Sequence, residues 1–150
     1  MRPWLVLAAI AACAHSPHPA GGLSRAEFLS LMDELASAWN AGNARRAADC
    51  FADDARYSAP PEPRLRAGRA ALYEWFGGAA GRPRPMHLQW HHLVFDEEQQ
   101  VGAGEYTFTY EVRTHGIVIV RITGGRIANW REYEHASPLA WDEMVGGNRF

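Results

Sequence analysis

Lysine is missing from all 150 residues; the fifteen basic side chains are arginines. Without a lysine amine there is no Schiff-base nucleophile and no Walker-type P-loop. Cysteine is nearly missing too: Cys13 and Cys50 suffice for one bridge and lack the paired spacing of a zinc site. No basic run or basic face occurs, and the formal charge is −2. The chain therefore lacks the cation density that neutralises nucleic-acid phosphates, and nucleic acid is not an expected partner. No apolar run approaches the ~20 residues of a membrane-spanning helix. What remains is a chain of one-domain length, 47% apolar, with room for a single core.

The amino terminus reads as an address rather than as fold. Arg2 precedes the apolar run Trp4 to Ala12, and small residues lead into Cys13, the order of a signal peptide. Ile10-Ala11-Ala12-Cys13 resembles a bacterial lipobox, which implies cleavage before Cys13 and a lipid on its thiol; a plain secretory signal fits the same residues. The expected division is a signal peptide over 1–12, a flexible Pro- and Gly-containing tether over 13–22, and a folded domain over 23–150. The expected location is the bacterial cell envelope, as an exported lipoprotein touching the membrane through its anchor only. Cys50 then has no partner and reads as a small buried apolar side chain.

Helical spacing dominates the first half. Ser24 and Glu27 form a capping box, and Phe28, Leu31, Met32, Leu35, Ala38 and Trp39 fall on one helix face up to Gly42. Asn43 caps a shorter helix through Phe51, with Asp53-Asp54 as its exit turn. Arg56 to Ala59 reads as a short strand, 60–67 as loop, and Arg69 to Phe76 as a third helix. From Met86 the period becomes two. Strands are expected over Met86–Phe95, Val101–Arg113, Ile117–Thr123 and Arg126–His135, with Thr114-His115-Gly116 as one of the turns and a short helix from Ser137-Pro138 to Val145. Helices first and hairpin-linked strands after make an α+β order: about three amino-terminal helices on a strongly curved, mostly antiparallel sheet, a cone with an apolar interior.

Trp39-Asn40-Ala41-Gly42-Asn43, then Cys50 to Ala55, Gly68-Arg69, Gly125-Arg126-Ile127 and Trp130-Arg131-Glu132-Tyr133 together resemble the nuclear-transport-factor-2-like superfamily, and within it the SnoaL-like branch. The resemblance spans about Leu23 to His135 and implies a cystatin-like roll. That fold hosts isomerases, cyclases, epoxide hydrolases and non-catalytic binding modules, so function must come from the pocket. At the three positions matching the catalytic residues of the steroid-isomerase branch stand Leu35, Ala59 and Val118. None can take a proton or hold an oxyanion. The hydrolase and cyclase branches place a carboxylate on the last strand in a Trp-Arg-acid context, and Glu132 occupies that position.

Strict alternation puts Trp130, Glu132 and Glu134 on one strand face, and Trp90 with His92 on another. The expected catalytic set is Glu132 as acid–base with Tyr57 or His92 assisting. The expected ligand contacts are Trp39, Trp90, Trp130, Leu35 and Val118. His87 and His91 lie about 13 Å apart at strand rise, too far to share a metal, so no metal or cofactor is expected. The aromatic face of Tyr106, Phe108 and Tyr110 reads as packing against something, a second copy of the chain included. Three functions stay open: a binding domain for a small apolar molecule, a hydrolase- or cyclase-type enzyme, and a structural homodimer or accessory subunit.

Overall fold

The computed structural model describes residues 21–148 and residue 150; the expected signal peptide, Cys13 and most of the tether lie outside them. Helix α1 (Arg25–Asn40) starts where Ser24 and Glu27 satisfy each other's backbone N–H groups, two of the donors a helix start leaves open. It buries Phe28, Met32, Leu35 and Trp39. Helix α2 (Ala44–Asp49) starts from Asn43, whose side chain accepts from the Arg46 N–H. It is shorter than its sequence suggests, because Phe51 already belongs to strand β1 (Phe51–Ser58). Asp53 and Asp54 sit within that strand rather than in a turn. A register irregularity between Phe51 and Arg56 lets both aspartates face solvent.

Strand β2 (Leu65–Ala67), helix α3 (Arg69–Trp75), the long strands β3 (His87–Asp96), β4 (Val101–Thr109), β5 (Arg113–Thr123) and β6 (Arg126–Ala136), and helix α4 (Trp141–Val145) follow. The sheet order is β2-β1-β6-β5-β4-β3. Among the described residues, the β1–β6 pairing alone is parallel. The β4–β5 hairpin turns at Tyr110-Glu111-Val112, not at Thr114-His115-Gly116 as the sequence suggests. Gly116 is instead a strand residue, kept bare because the Tyr106 ring lies on it: a Cβ there would stand 2.8 Å from the Tyr106 hydroxyl.

This is the α+β arrangement expected from the element order and the cystatin-like roll that the resemblance implies. Helix α1 crosses the sheet beside β3, where the Asn40 amide pairs with both backbone groups of Leu88 (2.9 and 2.6 Å). At its other end the Phe28 ring stacks on Phe95, centroids 4.3 Å apart, and lies directly over Gly102. The core runs between the helices and the inner sheet face, and its largest fully buried side chain is Trp130. Burying such rings is the chief drive for closing helices over sheet. The carboxy-terminal segment covers part of the outer face: Trp141 stacks on His91 at 4.1 Å.

Candidate active site

Tyr57 on β1 is in register with Trp130 on β6, and their rings stack, centroids 5.7 Å apart and nearly parallel. Two residues on, the same inward face of β6 presents Glu132. Its carboxylate is 7% exposed and receives three donors. Tyr57 donates to Oε1 at 2.5 Å. The Trp130 indole N–H donates to Oε2 at 2.7 Å, and the Tyr106 hydroxyl approaches the same oxygen at 3.2 Å. The Tyr106 hydroxyl also reaches Oε1 of Glu134 at 2.9 Å. This phenol lies between the buried carboxylate and the exposed one, and its single proton serves one of them at a time.

Burial pushes the Glu132 carboxyl up to about 7; the nearby Glu134 charge adds to this, while the bonds from Tyr57, Trp130 and Tyr106 oppose it. Tyr57 and Tyr106 are both pushed upward, first by burial and then by the Glu132 charge, so they remain neutral hydroxyls. An ionised carboxylate offers about four acceptor sites. Two full donors and one shared donor leave room for one more partner.

Glu132 opens onto a cavity of about 290 Å³, walled by Trp39, Phe76, Met86, Leu88 and Phe108 among apolar side chains and by Arg66, Arg82 and Glu62 among charged ones. Trp39 and Tyr57 are there as the sequence suggests, and so is Ala59. The remaining expected contacts are placed elsewhere. Leu35 and Val118 are fully buried core residues with no surface toward the cavity. Trp130 supports the wall from behind, holding Glu132 through its indole. Trp90 packs its edge on Tyr106 and donates to the Met32 carbonyl (3.0 Å).

His92 is the clearest correction. The pairing of β3 with β4 shifts between Trp90 and His92, so Trp90 lies opposite inward Tyr106 while His92 lies opposite Glu105. The bulge inserts one residue and breaks strict alternation. His91 and His92 therefore share the outer face. His91 meets Thr107 at 2.7 Å and the Trp141 ring; the His92 ring nears Phe150 at 5.6 Å. Neither assists Glu132. A second correction concerns Phe108, Tyr106 and Tyr110: they line the cavity, not a partner surface.

Sequence reasoning missed Tyr106 as a bridge, although its alternation with Phe108 was visible. It missed Arg66 and Arg82 entirely, since Arg66 falls in the segment read as loop and Arg82 between the third helix and the strand expected from Met86. Cys50 is a free, buried thiol, pushed up to about 12 chiefly by burial, and is chemically quiet. Among the described residues no three His, Cys, Asp or Glu side chains gather to hold a metal.

The family profile of the SnoaL-like domain matches residues 32–130, well over half of the chain. The chain belongs to the SnoaL-like domain family. No curated protein matches its sequence. Solved structures match the SnoaL-like fold at low identity. A protein of unknown function with a cystatin-like fold from Methylobium petroleophilum is 21% identical, with a TM-score of 0.66 over 80% of this chain and 82% of its own. An LEH-like epoxide hydrolase from M. tuberculosis is 16% identical, with a TM-score of 0.63 over 73% of this chain and 84% of its own. The epoxide hydrolase/cyclase-like enzyme SalBIII of salinomycin pyran-ring formation is 18% identical, with a TM-score of 0.59 over 73% and 92%. At these identities the likeness shows the fold alone.

Proposed function

We propose that this SnoaL-like domain takes one small, largely apolar molecule into its cavity and carries out acid–base chemistry on it with Glu132. The supporting observation is a carboxyl buried on the cavity wall, raised to about 7 and held by two hydroxyls and an indole. Near that value the protonated and ionised forms coexist at neutral pH, which suits one group to give and then take a proton. On a three-membered cyclic ether, protonated Glu132 gives its proton to the ring oxygen as the C–O bond breaks. The carboxylate so formed takes a proton from the water that adds to the carbon, which yields a diol and restores the acid. The named activities of the hydrolase and cyclase among the structural neighbours support this class.

The test is diol formation from a panel of aryl and alkyl epoxides, styrene oxide first, by wild type and Glu132→Gln. A loss of 100-fold or more, roughly the contribution of a general acid–base group, with binding of an apolar dye retained, supports the reading. An unchanged rate overturns it. The three donors already on Glu132 favour a second reading, a binding domain in which the carboxylate only ties Tyr57 to Trp130; dye binding without turnover of any panel member selects it.

Two further parts of the reading rest on sequence and surface. Cys13 is the proposed lipid attachment point of an envelope protein, supported by the lipobox-like Ile10-Ala11-Ala12-Cys13; Cys13→Ser should move the protein from the membrane to the soluble fraction. A homodimer is proposed through the outer sheet face, where Val94, Ile117, Ile119 and Tyr133 are exposed. Sedimentation of Ile119→Asp against wild type tests it.

A further inference from the structure

Among the described residues, three buried side-chain N–H groups find no acceptor: Trp39 Nε1, Arg66 Nη1 and Arg82 Nε. All three side chains line the same cavity. Buried donors are almost always paired, so a wall with three unmet donors is short of acceptor atoms.

Two of the three are cations, and their setting is organised. The Arg66 guanidinium lies 3.5 Å over the Trp75 ring, and that of Arg82 lies 4.9 Å from the same ring and 5.5 Å from Tyr110. Arg82 also donates to the Trp75 carbonyl. A guanidinium over or beside an aromatic ring can still present N–H groups to an acceptor, and a carboxylate matches its fork. The nearest carboxylate to Arg66 among its ion pairs is Glu62, at 3.7 Å, beyond hydrogen-bond length. Glu132 and Glu134 also face the cavity, and both are engaged by hydroxyls.

We propose that the cavity takes an amphipathic carboxylic acid, its anionic head on Arg66 and Arg82 and its apolar body against Trp39, Phe76, Met86, Leu88 and Phe108. This rests on the reading of the cavity as a small-molecule site and gives that site a substrate class. Arg66 is 6.0 Å from the Tyr57 ring, whose hydroxyl holds Glu132. A head on Arg66 therefore leaves the atoms a few bonds along the molecule beside the acid–base carboxyl.

Calorimetric titration with 4-phenylbutanoate and with 4-phenylbutan-1-ol, equal in body and different in head, tests the assignment. Near pH 6 the acid is ionised, and it should bind at least about tenfold more tightly than the alcohol, the scale of one charge-assisted hydrogen bond. Arg66→Gln and Arg82→Gln should each remove most of that advantage and leave the alcohol unchanged. Arg82 is in a loop, so its variant keeps the test open should Arg66→Gln fold poorly. Equal affinity for both probes, or an advantage that survives both substitutions, overturns the inference while leaving the cavity as a neutral-ligand site. Failure of both probes to bind overturns this inference and the small-molecule reading together.

Discussion

Tyr57 and Glu132 meet across the one parallel junction in the sheet, hydroxyl to carboxylate at 2.5 Å. Strand β1 arrives from the helical half of the chain and β6 from the end of the hairpin series, so this contact joins the two halves at the cavity wall. Its donor and acceptor are both buried, where an unmet partner is costly.

Tyr57→Phe keeps the ring on Trp130 and deletes one donor to Glu132. The ionised carboxylate loses support, so its pKa should rise beyond about 7. The net stability cost should be about 1 kcal/mol, the usual worth of one hydrogen bond. Carboxyl titration by carbon NMR with labelled glutamate, alongside urea denaturation, reads both effects.

Glu132 should make the protein less stable as pH rises from the ordinary carboxylate range toward 7. In that window the unfolded chain has already lost the proton that the folded state retains, so the contribution is fully present below the unfolded pKa and gone above about 7. The shift corresponds to about 3 kcal/mol. Thermal melts across this range should show the decline in wild type and a flatter curve in Glu132→Gln.

Gly116→Ala should displace Tyr106. The new methyl would meet the Tyr106 ring and hydroxyl and the Tyr133 carbonyl, each at 2.8 Å, and the bridge from Glu132 to Glu134 would open. A cost of about 1–3 kcal/mol is expected from overpacking, with a change in the Glu132 titration that Gly124→Ala should not produce, since that turn glycine stands in open space.

Leu35→Ala separates core from cavity wall. With Leu35 fully buried behind the lining, the loss should be about 3 kcal/mol of stability. Affinity for an apolar probe should stay within a factor of two if the folded state is saturated. Denaturation and probe titration of the same sample check both.

The sequence-derived expectations failed at identifiable places. The capping box at Ser24, the buried stripe from Phe28 to Trp39 and the shared face of Trp130 and Glu132 depend on spacings of two to four residues, and such spacings are visible in a string of letters. His92 failed because one inserted residue at a bulge changes the phase of everything beyond it, and nothing local in Trp90-His91-His92 announces the insertion. Tyr106 failed for another reason: its alternation with Phe108 was plain, but alternation names two faces without saying which one the helices cover.

The amino-acid order by itself determined the α+β plan, the carboxylate on the last strand and the absence of lysine chemistry, because periodicity and composition are properties of short stretches and of the whole chain. Only the tertiary structure decided that Tyr57, Tyr106 and Trp130 converge on Glu132 and that Arg66 and Arg82 both meet Trp75 in the cavity wall. Those neighbours lie up to 75 residues apart, and what brings them together is strand register and helix docking, which are settled by long-range packing rather than by any local preference.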